Sequence, residues 1–235
     1  MTNSKPDVEH QLHLTLIIAA FGVVVATIWG LFGPHDGAVT RMQIALRSDV
    51  VAALEHQGLD GIEVELKGQS AHLYGIVARR EQIETARQAA LTAAGAGGPW
   101  AGGVTAVDVL GLHVGPVDSP FAWRAWRDGS SLVLSGSAPS EASRRVLLTR
   151  AGALFPNAVA LDQMHAAGGS PSAQWTDFAL DALQQLSTLN SGEARLSGAE
   201  LVISGGGSQA AVAALRKHYE HPPAPFTARL ETSVQ

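Results

Sequence analysis

Residues 121–136 read FAWRAWRDGSSLVLSG. Phe121, Trp123 and Ala125 fall on one face of an extended segment, and Arg124 and Trp126 on the other, which is the two-residue period of a strand. Asp128-Gly129 follows, a pair that suits a tight hairpin because glycine takes positive φ without steric cost. Leu132, Val133 and Leu134 supply the returning strand, and Gly136 follows it. Ser140 is placed to cap a helix, with Ala142, Val146, Leu147 and Leu154 expected inward. Ala158 to Met164 reads as a closing strand. Hairpin, helix and strand make one small unit.

The order recurs on either side. Upstream, Ile62 to Leu66 alternates apolar and polar, Lys67-Gly68 turns, and Ala71 to Tyr74 returns to Gly75. A helix with Ile83, Ala86, Ala90 and Ala94 on one face comes next, and Val104 to Leu110 closes. Downstream, Ala194 to Leu196 pairs with Leu201 to Ser204 across Ser197-Gly198; then come Gly205, a helix from Ser208 to Tyr219, and a strand from Phe226 to Val234. The glycines after the hairpins, Gly75, Gly136 and Gly205, are 61 and 69 residues apart. Two units also have a leading amphipathic helix. Val39, Met42, Leu46, Val50 and Ala53 share its face in the first, and Trp175, Phe178, Ala179, Ala182, Leu183 and Leu186 in the third. No room for one exists between Asp118 and Phe121. Linkers are expected at Gly111–Pro120 and Ala166–Ser172. The expected fold is α+β: three tandem αββαβ modules at 39–110, 118–165 and 172–235, the middle one lacking its first helix.

Ahead of them, after a polar tail at 1–13, residues 14–33 read LTLIIAAFGVVVATIWGLFG, 20 residues without a charge. As a helix rising about 1.5 Å per residue they match the roughly 30 Å apolar core of a bilayer. The stretch exceeds a signal-peptide core and no small-x-small cleavage site follows closely, so a retained single transmembrane helix is expected. The lipid bilayer is then a partner through Leu14–Gly33. A net charge of −5 argues against nucleic acid, which needs a basic footprint. Only residues 120–165 are net basic, 5 Lys+Arg against 3 Asp+Glu. The chain has no cysteine, which removes disulfides and thiolate chemistry.

The αββαβ unit resembles the BON domain of bacterial envelope proteins. Trp123-Arg124-x-x-Arg127-Asp128-Gly129-x-x-Leu132-x-Leu134-Ser135-Gly136, followed by Ser140-Glu141-Ala142, is similar to the BON-like tandem of anchored OmpA-family proteins. Leu196-Ser197-Gly198-x-x-Leu201-x-Ile203-Ser204-Gly205 echoes it. The OmpA C-terminal domain usual in such proteins has no counterpart in this sequence. The resemblance implies a non-catalytic envelope protein whose modules contact lipid or envelope protein partners, on the periplasmic side of the inner membrane. Lys/Arg flanking the apolar segment, Lys5 against Arg41 and Arg47, point weakly to the cytoplasm instead. An alternative from another class is an accessory single-span subunit of a large inner-membrane complex, energy-transducing or photosynthetic. Ala19, Ala20, Gly22 and Ala26, small enough for close helix approach, favour it.

No constellation specifies a reaction, and no catalytic residue, metal site or cofactor is expected. Gly205-Gly206-Gly207-Ser208 lies between a strand and a helix but lacks a P-loop lysine and the last glycine of a nucleophile elbow. His218 and His221, like His10 and His13, are pairs without a third ligand. His13, at the edge of the apolar segment, could ligate a haem or pigment, with an ordinary interfacial histidine as the alternative. The candidate interaction patch is Phe121, Trp123, Arg124, Trp126, Arg127, Arg144 and Arg145, because Trp and Arg are enriched at interface centres.

Overall fold

The computed structural model describes residues 38–93, 103–128 and 130–234. Two compact bodies are distinguished, 1–45 and 46–235, and every strand and contact below belongs to the second. The elements described are helix α1 (Ala38–Glu55), strands β1 (Glu63–Lys67) and β2 (Ser70–Val77), helix α2 (Glu81–Thr92), strands β3 (Ala106–Val114), β4 (Ala122–Asp128) and β5 (Ser131–Ala138), and helix α3 (Glu141–Leu154). They continue with β6 (Val159–Ala166), α4 (Trp175–Leu186), β7 (Ser191–Ser197), β8 (Glu200–Gly207), α5 (Gln209–His218) and β9 (Thr227–Val234).

Each unit is an antiparallel hairpin, a crossover helix and a third strand parallel to the second. The helix is needed because parallel neighbours cannot be joined by a tight turn. In the first unit the order is β1-β2-β3. Its core takes Leu46, Val50 and Leu54 from α1, Val64, Ala71 and Leu73 from the hairpin, and Ala86 and Ala90 from α2. Met42 of α1 is exposed and Ala53 only half-buried, so the buried stripe ends on Leu54 instead.

The expectation of three tandem modules is corrected here. The second and third units form one six-stranded sheet, β6-β5-β4-β7-β8-β9, because their first strands pair antiparallel. Ala125 pairs with Ala194 at the centre of that junction. The sequence offset that carries Gly136 onto Gly205 also carries Ala125 onto Ala194, so a local two-fold axis passes through this pair. Aligned on the same glycines, Val64 holds the alanines' position in the first unit. Its carbonyl accepts a hydrogen bond from Arg47 Nε at 3.0 Å. A side chain thus covers the edge that in the other units receives a strand.

The remaining part of the expected architecture, the span at Leu14–Gly33, lies outside the described residues. Among the described residues no helix is long and apolar enough to cross a membrane.

Helices α3, α4 and α5 contribute to a single core with one face of the large sheet. Trp175 of α4 meets Phe121 and Trp123 edge-on at centroid distances of 5.2 and 6.1 Å. One leading helix therefore lies over the junction and packs against both units, which is how the second unit does without its own. Residues 166–172, expected as a linker, carry packed backbone: Val117 bridges to Gly168, and Ser170 and Ser172 are buried.

Candidate functional site

Among the described residues, no helix lies on the other face of the six-stranded sheet. Strand alternation places Arg124 and Trp126 there, together with Val133, Ser135, Leu161, Glu193, Arg195, Val202, Arg229 and Glu231. Two cross-sheet rows result. One runs Gln163, Ser135, Arg124, Arg195, Val202, Arg229, and the next Leu161, Val133, Trp126, Glu193, Ser204, Glu231. Arg124 and Arg195 stand directly opposite each other across the junction, which like charges disfavour. Glu193 resolves this by accepting from both, with Arg195 Nη2 at 2.8 Å, and its side chain is only 16% exposed. The Arg124 guanidinium lies 5.8 Å from the Trp126 ring centre, within cation–π range. Trp126 is nonetheless 39% exposed, and Leu161, in the same row, 46%. An apolar half led by Trp126 adjoins a half of paired charges.

Of the seven residues in the expected patch, only Arg124 and Trp126 meet on this face. Phe121 and Trp123 lie in the core beneath the helices, at 2% and 1% exposure. Arg127, on their side of the strand, donates to the Leu189 carbonyl at 2.8 Å and lies over the Phe155 ring. Arg144 is held by Asp162 at 2.7 Å and by Glu141, and the Asp162 bond raises its pKa. Arg145 is on the outer side of α3 and donates to the Glu141 carbonyl. Arg195, Arg229 and Glu193 are the members that the sequence reading missed. Their signal was the same alternation, read along β7 and β9 rather than along β4 alone.

Ser208 caps α5, its Oγ accepting from the Ala211 amide at 3.2 Å. His218 Nε2 lies 2.9 Å from Asp181, whose carboxylate also accepts from the Tyr219 hydroxyl at 2.7 Å. Burial, and then Asp181, push the Tyr219 pKa up. His221 lines a neighbouring cavity of about 340 Å³ with Asp177, Phe178 and Phe226. Among the described residues no group of three His, Asp or Glu could hold a metal. His10 and His13 lie outside the described residues.

A second polar cluster joins Asp118, Ser137 and His165. Ser137 Oγ donates to the Asp118 carboxylate, and His165 Nε2 lies 2.7 Å from the same oxygen. The Ser137 bond, with help from His165, lowers the Asp118 pKa. The aspartate, not the histidine, is in the middle, so the His165 imidazole does not reach the serine hydroxyl as it would in a Ser-His-Asp arrangement.

No protein-family model and no curated protein sequence matches the chain.

Proposed function

We propose that this chain is a non-catalytic interaction protein whose open sheet face, centred on Arg124 and Trp126, takes a protein partner. The observation that carries the proposal is the cation–π pair exposed on a sheet face that no helix among the described residues covers. Trp and Arg are the residue types that concentrate binding energy at interface centres. Lipid headgroups fit this face less well. Arg195 and Arg124 share Glu193, Arg229 pairs with Glu231 at 3.3 Å, and Arg127 and Arg144 are engaged elsewhere, so little uncompensated positive charge remains for an anionic surface.

The repeated hairpin-helix-strand unit supports kinship with BON modules, and on the sequence alone the segment 14–33 supplies attachment to the inner membrane. The same resemblance assigns the modules to the periplasm. The experiment is purification of the full chain in mild detergent, as wild type and as the Trp126→Ala/Arg124→Gln double variant. A protein that co-purifies in fixed stoichiometry should be lost from the variant while the fold, read by circular dichroism, is kept. Retention of that partner by the variant would remove the open face from the proposal. A wild-type chain that comes away alone and binds anionic liposomes would replace a protein partner with lipid.

A further inference from the structure

Helix α4 has two flanks, and among the described residues aromatic rings cover only one. Towards α5, Phe178 stacks on Phe226 with ring centres 4.1 Å apart and meets Tyr219 edge-on at 6.2 Å. Both covering rings come from the turn that follows α5 and returns over α4. Towards α3 the corresponding turn is shorter, running from Phe155 to Ala158, and Phe155 is buried beneath Arg127. What remains on that flank is an open groove of about 700 Å³ between α3 and α4. Val146, Ala153 and Leu180 give it apolar walls, and Val146 is 48% exposed although it belongs to a core-packed helix.

The charges lining this groove are Arg145, Arg150 and Asp181. Asp181 is already occupied by His218 and Tyr219 on the far side of α4. Arg145 and Arg150 spend their hydrogen bonds on neutral groups, the Glu141 carbonyl and the Gln184 amide oxygen. Among the described residues neither is paired with a carboxylate. On the opposite flank the chain covers α4 with its own aromatic rings, and here the rim favours an anion.

We propose that the α3–α4 groove docks an aromatic side chain carried on an acidic segment of a partner protein. An apolar groove between helices that receives a few spaced anchors is a recurrent mode of peptide recognition. The groove lies on the helix side of the sheet, away from the Arg124–Trp126 face, so the two surfaces can fail separately.

The test uses the full chain and three dye-labelled peptides followed by fluorescence anisotropy: phenylalanine between glutamates, phenylalanine between lysines, and alanine between glutamates. The first should bind saturably, and the other two at least about tenfold more weakly. Val146→Glu, and separately Arg145→Glu with Arg150→Glu, should each weaken the first peptide by about tenfold or more. Thr149→Trp, which fills the groove from an exposed position, should block it without depending on charge. Thermal unfolding of each variant confirms an intact fold. The proposal is overturned if the first peptide does not saturate, or if Val146→Glu and Thr149→Trp bind it as the parent does. It is equally overturned if only Trp126→Ala/Arg124→Gln abolishes binding, because the peptide would then sit on the open face.

Discussion

Gly136 is where a single missing atom decides the local structure. Its φ is +93°, and a Cβ there would lie 2.2 Å from the Ala122 carbonyl oxygen on the paired strand. Gly205 repeats the arrangement, with φ +151° and a Cβ position 2.3 Å from the Ser191 oxygen. Neither backbone can retreat without breaking its ladder. Gly136→Ala should therefore cost about 1–3 kcal/mol. Gly68, at φ +64° with open space around it, pays only the conformational part, and Gly68→Ala should cost about 1 kcal/mol or less. Urea unfolding of the two variants side by side checks the ranking; equal losses would mean that the close approach at Gly136 is unimportant.

Asp118 gives a second residue-scale expectation, this time with a pH signature. Its folded pKa is depressed, first by the Ser137 hydroxyl. A depressed carboxylate stabilises the fold above its unfolded pKa of about 3.9, and that contribution fades as pH falls through the folded value. Ser137→Ala should accordingly be less stable than the parent at neutral pH, with the gap closing on acidification below about pH 4. A gap independent of pH would reduce Ser137 to a packing residue.

Among the elements, the β4–β7 pairing is what turns two modules into one sheet. Glu193 is its electrostatic keystone, since without it Arg124 and Arg195 confront each other directly. Glu193→Ala should cost about 1 kcal/mol, and adding Arg195→Ala should return part of that loss instead of increasing it. A double-mutant cycle by urea unfolding reads the sign. Much of this level was legible in the sequence. The post-hairpin glycines mark the recurring hairpin-helix-strand order, and all six residues assigned to the inner face of α4 are buried. Other assignments misled for identifiable reasons. Apolar character places Val146 inward, yet α3 buries Ser143, Leu147 and Ala151. A small polar residue on the true face hid it. Pairing between units left only a faint trace, alanine at the axis in the two fused units and valine at the matching position of the first. Strand alternation divides residues between two faces without saying how two edges join, so the patch read along one strand omitted its neighbours across the junction.

For the whole molecule, Glu63 ties the three-stranded unit to the six-stranded one. Its carboxylate accepts from the hydroxyls of Ser143 at 2.7 and 2.8 Å, Ser140 at 3.3 Å, and Thr176. Ser140 caps α3 and Thr176 lies in the first turn of α4, so one anion serves the N-terminal ends of two helices. The backbones approach closely beside it. A Cβ on Gly168 would lie 2.5 Å from the Ile76 oxygen, and one on Gly61 2.9 Å from Ser170. These contacts make 46–235 one body where flexible beads would otherwise be expected. Hydrogen bonds to a charged group contribute about 1.5–3 kcal/mol each at most, and removing the acceptor leaves the buried Ser143 hydroxyl with Ser140 Oγ, at 2.8 Å, as its remaining side-chain partner. Glu63→Ala should therefore loosen the joint before it unfolds either sheet. Hydrogen exchange should accelerate in residues 61–63, 140–143 and 168–176, while the β4, β7 and β8 amides keep their protection. Glu63→Gln, which keeps the shape and one acceptor oxygen, should show a smaller change. Uniform acceleration across both sheets would make Glu63 a contributor to global stability alone; unchanged exchange at 168–176 would show that the glycine contacts hold the units together without it.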